Sequence, residues 1–394
     1  MNVLVLGGCG IQGRAALLDL SKNPLVDRIV CADAFPETIE RFSFLNRSKI
    51  ETVRIDASNP QALESTMKQH IDVVIDMLPA EFGRIVALSA ISAGIPAVNT
   101  NYGYPILDLH DSASANGVAL MPECGLDPGI DLVIYRYGAD WFDRLDVLNS
   151  YCGGVPEPKA CTNPLKYKIS WNWDMVLKTQ KRDSVLIQNR KRIPISAEDQ
   201  HANDFIHEIE FPGLGKLEAF PNGNAAHFVE LLSLGDTIVE SGRYTLRWPG
   251  WCAFWNSIKR LGLLAEEPVS EKWPGLTPHQ FLVEWLEPRL QYASDEKDLA
   301  VMHNVMIGEK EGRVQRLTSD VCIERDLESG IMGMALGVST PACIAAQMLA
   351  DGSISKTGVL SPVRDIPPQP FFDALRSRGI QIDFRIEPNW TPRS

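Results

Sequence analysis

The chain has 394 residues, of which 45% are hydrophobic and 22% are charged, which is typical of a globular protein with two or three domains. Its formal net charge of −12 argues against nucleic acid or an anionic membrane as a partner, because most of the surface would repel either one. The eight cysteines lack paired spacing, so we expect no metal and no disulfide framework, and a reducing cytoplasm is the expected location. We also expect no signal peptide, since a strand pattern begins at residue 2, and no apolar run reaches the roughly 18–20 residues of a membrane span.

The first recognisable motif is an apolar run that ends in three glycines, VLVLGGCGIQG at residues 3–13. Their spacing predicts a strand that turns into a helix around a dinucleotide. The first glycine permits the turn, the second lets the backbone approach a pyrophosphate, and the third lets the helix pack closely. N–H groups at the helix N-terminus would bind the phosphates, although an ordinary glycine turn without a nucleotide is the alternative. The expected cofactor-binding residues here are Gly8, Gly10, Ile11, Gln12 and Gly13.

A carboxylate follows the second predicted strand, residues 28–32. Asp33 lies 20 residues beyond Gly13, where a carboxylate would accept hydrogen bonds from the adenosine ribose hydroxyls. A 2′-phosphate at this position would meet a like charge. The sequence therefore favours NAD over NADP as the cofactor.

Strand and helix patterns then alternate up to residue 121. Helices are predicted at 11–21, 83–93 and 106–115, and strands at 51–55, 71–77, 97–99 and 118–121. Six strands alternating with helices predict a Rossmann domain, a doubly wound parallel sheet whose ligand crevice lies beyond the carboxyl ends of its strands. Residues just past strands four and five are therefore expected beside the nicotinamide, and these are Leu78, Pro79, Asn101 and Tyr102.

The pattern changes near residue 122, where a turn at 125–129 restarts a helix. Strands follow at 147–152, 184–194, 216–220 and 242–248, and a hairpin is predicted at 299–308 and 312–326. We predict a Rossmann domain at 1–124 and an α+β substrate and dimerisation domain at 125–335. The latter carries a small helical insertion at about 250–292, and residues 336–394 return to the nucleotide domain.

Three segments carry a resemblance to a known family: ECGLDPGID at 123–131, YCGGVPEPKACTNPLKYKISW at 151–171 and GRYTLRWPGW at 242–251. They resemble the saccharopine dehydrogenase family, in particular its glutamate-forming reductase branch. Lysine 6-dehydrogenase and the carboxynorspermidine and carboxyaminopropylagmatine dehydrogenases are relatives. The resemblance implies a homodimeric NAD(P)-dependent oxidoreductase that acts on the CH–NH group of an amino acid or polyamine precursor through an imine.

Such chemistry needs groups that carry protons to and from the reacting nitrogen and oxygen. The resemblance points to Asp127 and Cys152 as catalytic residues, and also to Tyr102. Asp127 could instead cap a helix, Cys152 could be a small buried residue, and Tyr102 could be a wall of the cofactor pocket. The resemblance further implies cofactor contacts from Gly125 and Leu126.

The resemblance also implies a set of substrate-binding residues: Glu123, Tyr102, Asn163, Lys168, Trp171, Asn222 and Arg247. Lys168 lies in a polar and apolar alternation, for which a solvated face is the alternative. One departure from the family stands at Gly223, where the reductase branch has an arginine that we assign to a substrate carboxylate. Its absence puts a dicarboxylic substrate in doubt, unless Arg247 or Arg243 substitutes.

Four functions are consistent with these observations. Saccharopine-type reductive amination comes first. Oxidative deamination of a lysine-like ε-amine and oxidation of a carboxynorspermidine-type amine are alternatives within the same class. A protein that senses nucleotide without turnover is the alternative from another class, since a fold alone does not fix a function.

Overall fold

The computed structural model describes residues 1–391 and divides into two compact units, each built around its own sheet. Unit 1 comprises Met1–Arg136 and Ala335–Gln381, and unit 2 comprises Tyr137–Met334 and the segment from Ile382 onward. The strands are β1 Asn2–Leu6, β2 Arg28–Asp33, β3 Ile50–Arg54, β4 Val73–Asp76, β5 Ala97–Asn99, β6 Ala119–Met121, β7 Arg144–Pro156, β8 Ser184–Gln188, β9 Lys191–Ile195, β10 His207–Phe211, β11 Gly215–Pro221, β12 Glu240–Arg247, β13 Asp298–Lys310, β14 Arg313–Glu324, β15 Gly358–Val359 and β16 Asp383–Pro388. The helices are α1 Ile11–Lys22, α2 Pro60–Met67, α3 Gly83–Ala93, α4 His110–Ala115, α5 Ile130–Trp141, α6 Trp173–Thr179, α7 Ala225–Leu231, α8 Trp251–Arg260, α9 Pro278–Leu286, α10 Gly333–Ala350, α11 Pro362–Asp365 and α12 Pro368–Ser377.

Unit 1 contains a seven-stranded parallel sheet in the order β15-β6-β5-β4-β1-β2-β3. The strand order reverses between β1 and β4, which is where a doubly wound sheet opens its ligand crevice. The apolar runs form these strands because both faces of a parallel sheet are covered, and Leu4, Leu6 and Val74 are fully buried beneath α2 and α3. Each fully buried aliphatic side chain of this size contributes about 1.5–3 kcal/mol. The predicted α/β class is confirmed.

Unit 2 is organised around a mixed sheet in the order β10-β11-β12-β7-β13-β14-β16, with the β8–β9 hairpin attached to β12. The long strands β7 and β13 pair antiparallel at its centre, whereas β12 runs parallel to β7. On one face α5 packs closely, since a side chain at Gly138 would place its Cβ 2.2 Å from the sulfur of Met306. Near this sheet α6, α8 and α9 form a helical cluster around Trp173, Trp251 and Trp255.

The structure differs from the predicted boundaries at three places. The predicted helix at 106–115 begins as a 3-10 helix, Tyr104–Leu109, and only α4 is α-helical. Unit 1 ends at Arg136 rather than at residue 124, because α5 continues without a break from one unit into the other. The final segment was predicted to stay with the nucleotide domain, but β16 pairs with β14 and belongs to unit 2.

One helix, α10, is long and apolar enough to cross a membrane by length and composition alone. In the structure 72% of its residues are buried, which is typical of a core helix in a globular domain. Gly, Ala and Ser make up much of it, and Ser339 donates a hydrogen bond to the carbonyl of Gln12 at 2.8 Å within unit 1.

Candidate functional site

The glycine-rich turn between β1 and α1 shows why each glycine is needed. A Cβ at Gly13 would lie 2.1 Å from the carbonyl oxygen of Gly7, and one at Gly8 would lie 2.6 Å from the sulfur of Cys31. These two glycines are therefore required by the packing of the protein itself. Gly10 is different, because it is exposed and its Cβ would meet only the Gly7 oxygen, at 3.3 Å. Packing within the protein therefore does not require glycine at position 10, whereas a ligand lying against the turn would require it.

The donors that would meet such a ligand are at the N-terminus of α1. Gly10 is the N-cap residue and offers no side chain, and its carbonyl accepts the first helical hydrogen bond from Arg14 at 3.1 Å. The N–H groups of Ile11, Gln12 and Gly13 belong to the first turn, where a helix has no acceptors of its own. These donors and the helix dipole suit a pyrophosphate, so the residues present fit a dinucleotide.

Asp33, at the end of β2, uses both carboxylate oxygens to accept hydrogen bonds from the main chain. One carboxylate oxygen accepts the N–H of Cys9 at 2.9 Å, and the other accepts the N–H of Phe35 at 3.0 Å. A positive charge stands next to it, because β3 pairs with β2 and brings Arg54 opposite Asp33. The Arg54 guanidinium donates to the carbonyl of Ala34 at 2.5 Å and forms an ion pair with Glu37 at 2.7 Å, with both side chains largely exposed. Arg54 is not among the predicted cofactor residues, because only the pairing of β3 with β2 brings it beside Asp33.

The end of β4 and the loop after β5 each hold a buried polar atom that lacks a partner within residues 1–391. Asp76 accepts the N–H of Leu78 through Oδ1 at 3.0 Å, while its Oδ2 has no hydrogen-bond partner within residues 1–391. Burial raises the pKa of Asp76 to about 7. The side-chain nitrogen of Asn101 is likewise buried without a partner in the described chain. Next to it, Tyr102 stacks on Tyr104 with ring centroids 5.8 Å apart.

Glu123 ties two loops of unit 1 together. It is 2% exposed and has a positive φ of 66°. Its carboxylate accepts the N–H of Gly103 at 3.2 Å and the hydroxyl of Ser361 at 3.3 Å. Ser361 is the N-cap residue of α11, so the start of that helix supports the loop that carries Tyr102. Glu123 thus has a positioning role in addition to the predicted contact with substrate.

Asp127 is half-buried, whereas every other residue between 121 and 135 is buried. The turn around it is closed by backbone, since Ile130 donates to the carbonyl of Gly125 at 2.9 Å. Helix α5 begins only at Ile130, and the N–H of Gly129 is bonded to Asp131 Oδ1 at 2.8 Å. The first N–H groups of this helix thus have acceptors without the Asp127 side chain, which weakens the capping alternative.

Arg247 forms the centre of a polar cluster in unit 2. It is 4% exposed, and its guanidinium carbon lies 5.3 Å from the Tyr167 ring centroid and 5.2 Å from that of Trp251. One nitrogen donates to the carbonyl of Leu246 at 2.8 Å, but Nε has no partner within residues 1–391. No described carboxylate lies within ion-pair distance of it, and burial lowers the pKa of Arg247. Cys152, on β7 and 6% exposed, is near enough for electrostatic interaction with this guanidinium.

Lys168 is not on a solvated face. It is 7% exposed, and its ammonium lies 2.6 Å from both oxygens of Glu296. This bidentate contact lowers the pKa of Glu296. The ammonium also lies 6.0 Å from the ring centroid of Tyr292, a half-buried residue whose pKa is raised by desolvation. The polar and apolar alternation around Lys168 suggested an exposed side chain. That interpretation is wrong because the ammonium is neutralised by Glu296, which lies 128 residues away in the chain.

The remaining predicted substrate residues lie in loops. Asn163 shapes its own loop, donating to the carbonyl of Tyr167 at 2.7 Å, and the half-buried Trp171 follows in the same segment. Asn222 lies in a different neighbourhood and accepts from Arg182 at 2.9 Å. Gly223 has a φ of 73°, so this turn favours glycine over arginine.

A doubly wound parallel sheet with a glycine-rich turn, followed by a mixed sheet with a buried arginine, defines a two-unit fold of the dinucleotide-binding class. Two family models cover the chain: the saccharopine dehydrogenase NADP binding domain over residues 3–121 and the saccharopine dehydrogenase C-terminal domain over residues 125–380. The chain belongs to the saccharopine dehydrogenase family. The predicted family is confirmed.

Named relatives and a solved structure agree with this assignment. The chain is 27% identical to saccharopine dehydrogenase [NADP(+), L-glutamate-forming] from Pyricularia oryzae, covering 98% of this chain and 99% of the relative. It is 26% identical to mitochondrial alpha-aminoadipic semialdehyde synthase from Mus musculus, covering 96% of this chain but only 47%, about half, of that protein. The structure of apo saccharopine dehydrogenase (L-Glu forming) from Saccharomyces cerevisiae has the same fold, with a TM-score of 0.85 at 23% identity over 98% of this chain and 99% of that one.

The predicted preference for NAD over NADP is wrong. The family model that covers the Rossmann domain is an NADP binding domain, and the fungal relative carries NADP(+) in its name. The prediction assumed that the Asp33 carboxylate is available to accept hydrogen bonds from the ribose hydroxyls, whereas both of its oxygens accept backbone N–H groups. It also neglected Arg54, which brings a positive charge to the same edge of the sheet.

Proposed function

We propose that the protein is an NADP(H)-dependent oxidoreductase of the saccharopine type. It would interconvert a secondary amine made from two amino acids with an imine, which water opens to a free amine and an aldehyde. Saccharopine, giving glutamate and aminoadipic semialdehyde, is the first substrate to test, because the relatives are named for these compounds. Bound NADP(H) would supply or accept the hydride.

The observation that carries the proposal is the unpaired guanidinium of Arg247. A buried ion without a partner costs several kcal/mol, so a protein that keeps one benefits from an anion that arrives with a ligand. An arginine fork binds a carboxylate through two parallel hydrogen bonds. The aromatic rings of Tyr167 and Trp251 hold the guanidinium in place without neutralising it. A substrate that bears a carboxylate therefore fits unit 2, even though the family's arginine is glycine at position 223.

Proton transfer is assigned to Asp127, Cys152 and Tyr102. Asp127 is accessible and is not needed as a cap, which suits a group that exchanges protons with an amine. Cys152 interacts electrostatically with Arg247, a cation that favours a negative charge on sulfur. Glu123 holds the Tyr102 loop through Gly103. Lys168 acts by keeping its segment in place through Glu296.

For the cofactor, Arg54 is the residue we assign to the 2′-phosphate. Its side chain is 61% exposed and its only described carboxylate partner is the equally exposed Glu37, so a phosphate dianion could displace that partner. Replacing Arg54 by Ser should weaken NADPH binding more than NADH binding. The exposed Arg47, also in unit 1 and also paired to a glutamate, is the matched control. Equal weakening of both nucleotides in a fluorescence titration would contradict the assignment.

An activity screen tests the function. Purified protein would receive NADPH, aminoadipic semialdehyde and one amine from the set of glutamate, lysine, agmatine and diaminopropane, with NADPH absorbance as the readout. We expect turnover with glutamate. Reduction of NADP(+) by lysine alone would indicate deamination of the ε-amine, and turnover with a diamine would indicate a polyamine precursor. Binding of NADPH without turnover of any pair would favour a nucleotide sensor.

We propose further that the protein is a homodimer that associates through an uncovered face of the second sheet. This face forms a concavity of about 1220 Å³ in which cationic and anionic side chains alternate. Examples are Arg144, Arg190, Arg316, Glu210, Glu240 and Glu387. A two-fold axis sets such a face against itself, which requires both signs of charge. Arg316→Glu should shift sedimentation toward a monomer, whereas Arg47→Glu in unit 1 should not; a monomeric parent protein would rule out the proposal.

We place the protein in the cytoplasm on the basis of its thiols. All eight cysteines are free in the structure, which suits a reducing compartment. The mouse relative is named as mitochondrial, so fractionation of cells that express the full-length gene product is the direct test.

A further inference from the structure

Two thiols meet inside the proposed cofactor site. The sulfur of Cys9, in the glycine-rich turn, lies 3.8 Å from the sulfur of Cys31, on β2. Cys31 is fully buried, whereas Cys9 is partly exposed. A disulfide has a sulfur separation of about 2.0 Å, so the pair has to approach by roughly 1.8 Å, which rotation of the Cys9 side chain and a small shift of the turn can provide.

We propose that Cys9 and Cys31 form a reversible disulfide with peroxide as the oxidant, and that this bond closes the dinucleotide site. The inference rests on the proposed function only for its consequence, the loss of NADPH binding. The bond itself depends on the position of the two thiols.

The turn, and not the strand, has to move when the bond forms. Cys31 is fixed by backbone pairing with Val5 of β1 and Thr52 of β3. The Cys9 N–H is bonded to Asp33, and the Cys31 sulfur already fills the space beside Gly8. Drawing Cys9 toward β2 therefore displaces the backbone that precedes Gly10 and the donors at the start of α1. NADPH bound to that backbone should in turn shield Cys9 from the oxidant.

The chemistry balances in two steps. The thiolate sulfur of Cys9 attacks one oxygen of the peroxide and becomes a sulfenic acid as the O–O bond breaks and hydroxide leaves. The Cys31 thiol then attacks that sulfur, the S–S bond forms, and water leaves. Each sulfur is oxidised by one electron and the peroxide takes up two.

Neither thiol is activated by its surroundings. Burial raises the pKa of Cys9, and the carboxylates of Asp33 and Glu37 raise it further, whereas contacts with Cys31 and the backbone of Ile39 lower it. Burial also raises the pKa of Cys31. Because the thiolate is the reacting form, oxidation should be slow at neutral pH and faster as the pH rises toward 9. The selectivity of the pair comes from proximity.

The test uses the full chain, treated with hydrogen peroxide with and without saturating NADPH. Remaining thiols are alkylated and peptides are mapped, and NADPH affinity is measured by fluorescence titration before and after treatment. We expect a linked peptide pair containing Cys9 and Cys31, a loss of NADPH affinity of about tenfold or more, which is about 1.4 kcal/mol, and recovery with dithiothreitol. Prior addition of NADPH should prevent the link.

Three variants keep the test decisive. Cys31→Ser should form no link and keep its NADPH affinity after peroxide treatment, and Cys9→Ser serves if the buried substitution fails to fold. Cys322→Ser removes an exposed thiol elsewhere and should behave like the parent. Absence of the Cys9–Cys31 peptide while Cys322 is oxidised would overturn the proposal, as would a link that leaves NADPH affinity unchanged. If the reduced protein binds no NADPH, the proposed function fails, but the peptide map still decides the existence of the bond.

Discussion

In unit 1, the groups placed to meet a ligand belong mostly to the main chain, whereas in unit 2 they are side chains from separate segments. The turn at Gly7–Gly10 and the first N–H groups of α1 need only correct spacing and the absence of side chains. The cluster around Arg247 draws instead on β7, β12 and the loops that carry Tyr167 and Tyr292. A site made of backbone tolerates exchange of its side chains, and a site made of side chains does not. The two units should therefore respond differently to substitution.

Asp127 gives the largest expected effect, because it is one of the two side chains of unit 1, with Tyr102, to which we assign proton transfer. Asp127→Asn should lower turnover by about 10²–10⁴-fold, the contribution of a positioned acid or base. Thermal stability should hardly change, because Asn keeps the size of the side chain and one acceptor oxygen. Steady-state kinetics and thermal melting of the same preparation decide the matter. Near-parental turnover would return Asp127 to a structural role.

Gly10→Val tests the backbone site. The substitution should weaken NADPH binding by more than about 100-fold, roughly 2.7 kcal/mol, by filling the space that the pyrophosphate occupies. Folding should be retained, because the added side chain meets little of the protein itself. Gly13→Ala is the contrasting variant and should destabilise the protein, as its Cβ would lie 2.1 Å from the Gly7 oxygen. Equal stability losses in both variants would contradict a ligand-imposed glycine at position 10.

The same contrast explains how much of the molecule could be predicted from its sequence. The parallel sheet could be predicted because βα units are local, and residues 83–93 and 97–99 have their predicted structure in α3 and β5. The family could be predicted from motifs whose residues are contiguous. The pairing of Lys168 with Glu296 could not be predicted, since it joins residues 128 positions apart. Arg54 was missed for a similar reason, because only the sheet brings the end of β3 beside Asp33.

Arg247→Met tests the side-chain site of unit 2. We expect KM for a carboxylate-bearing substrate to rise by about 10–100-fold, as a charged hydrogen bond is worth about 1.5–3 kcal/mol. The melting temperature should stay the same or increase, because an unpaired buried cation is replaced by an apolar side chain of similar length. Arg247→Lys keeps the charge without the fork and should fall between parent and Met. A lower melting temperature together with an unchanged KM would mean that Arg247 serves the fold alone.

The smallest effect is expected at Asp76. This residue is an exception to the main-chain groups of unit 1, because it is a buried side chain whose second oxygen lacks a partner in the described chain. Burial raises its pKa from 3.8 to about 7, so the folded protein holds this proton more tightly than the unfolded chain does. Stability is therefore greatest below about pH 4, falls as the pH rises through this window, and is constant above about pH 7. Asp76→Asn removes a penalty of about 4 kcal/mol, about three pKa units, and keeps an acceptor for Leu78, but its amide nitrogen would be a buried donor without a partner, which costs about 1–3 kcal/mol. At pH 8 the variant should therefore be more stable by about 1–3 kcal/mol, or about 2–12 °C. The gain should shrink toward pH 4, and the exposed Asp111→Asn should show no such pH dependence in parallel melting curves. A gain for Asp76→Asn that is equal at both pH values would mean that folding does not raise the pKa of Asp76.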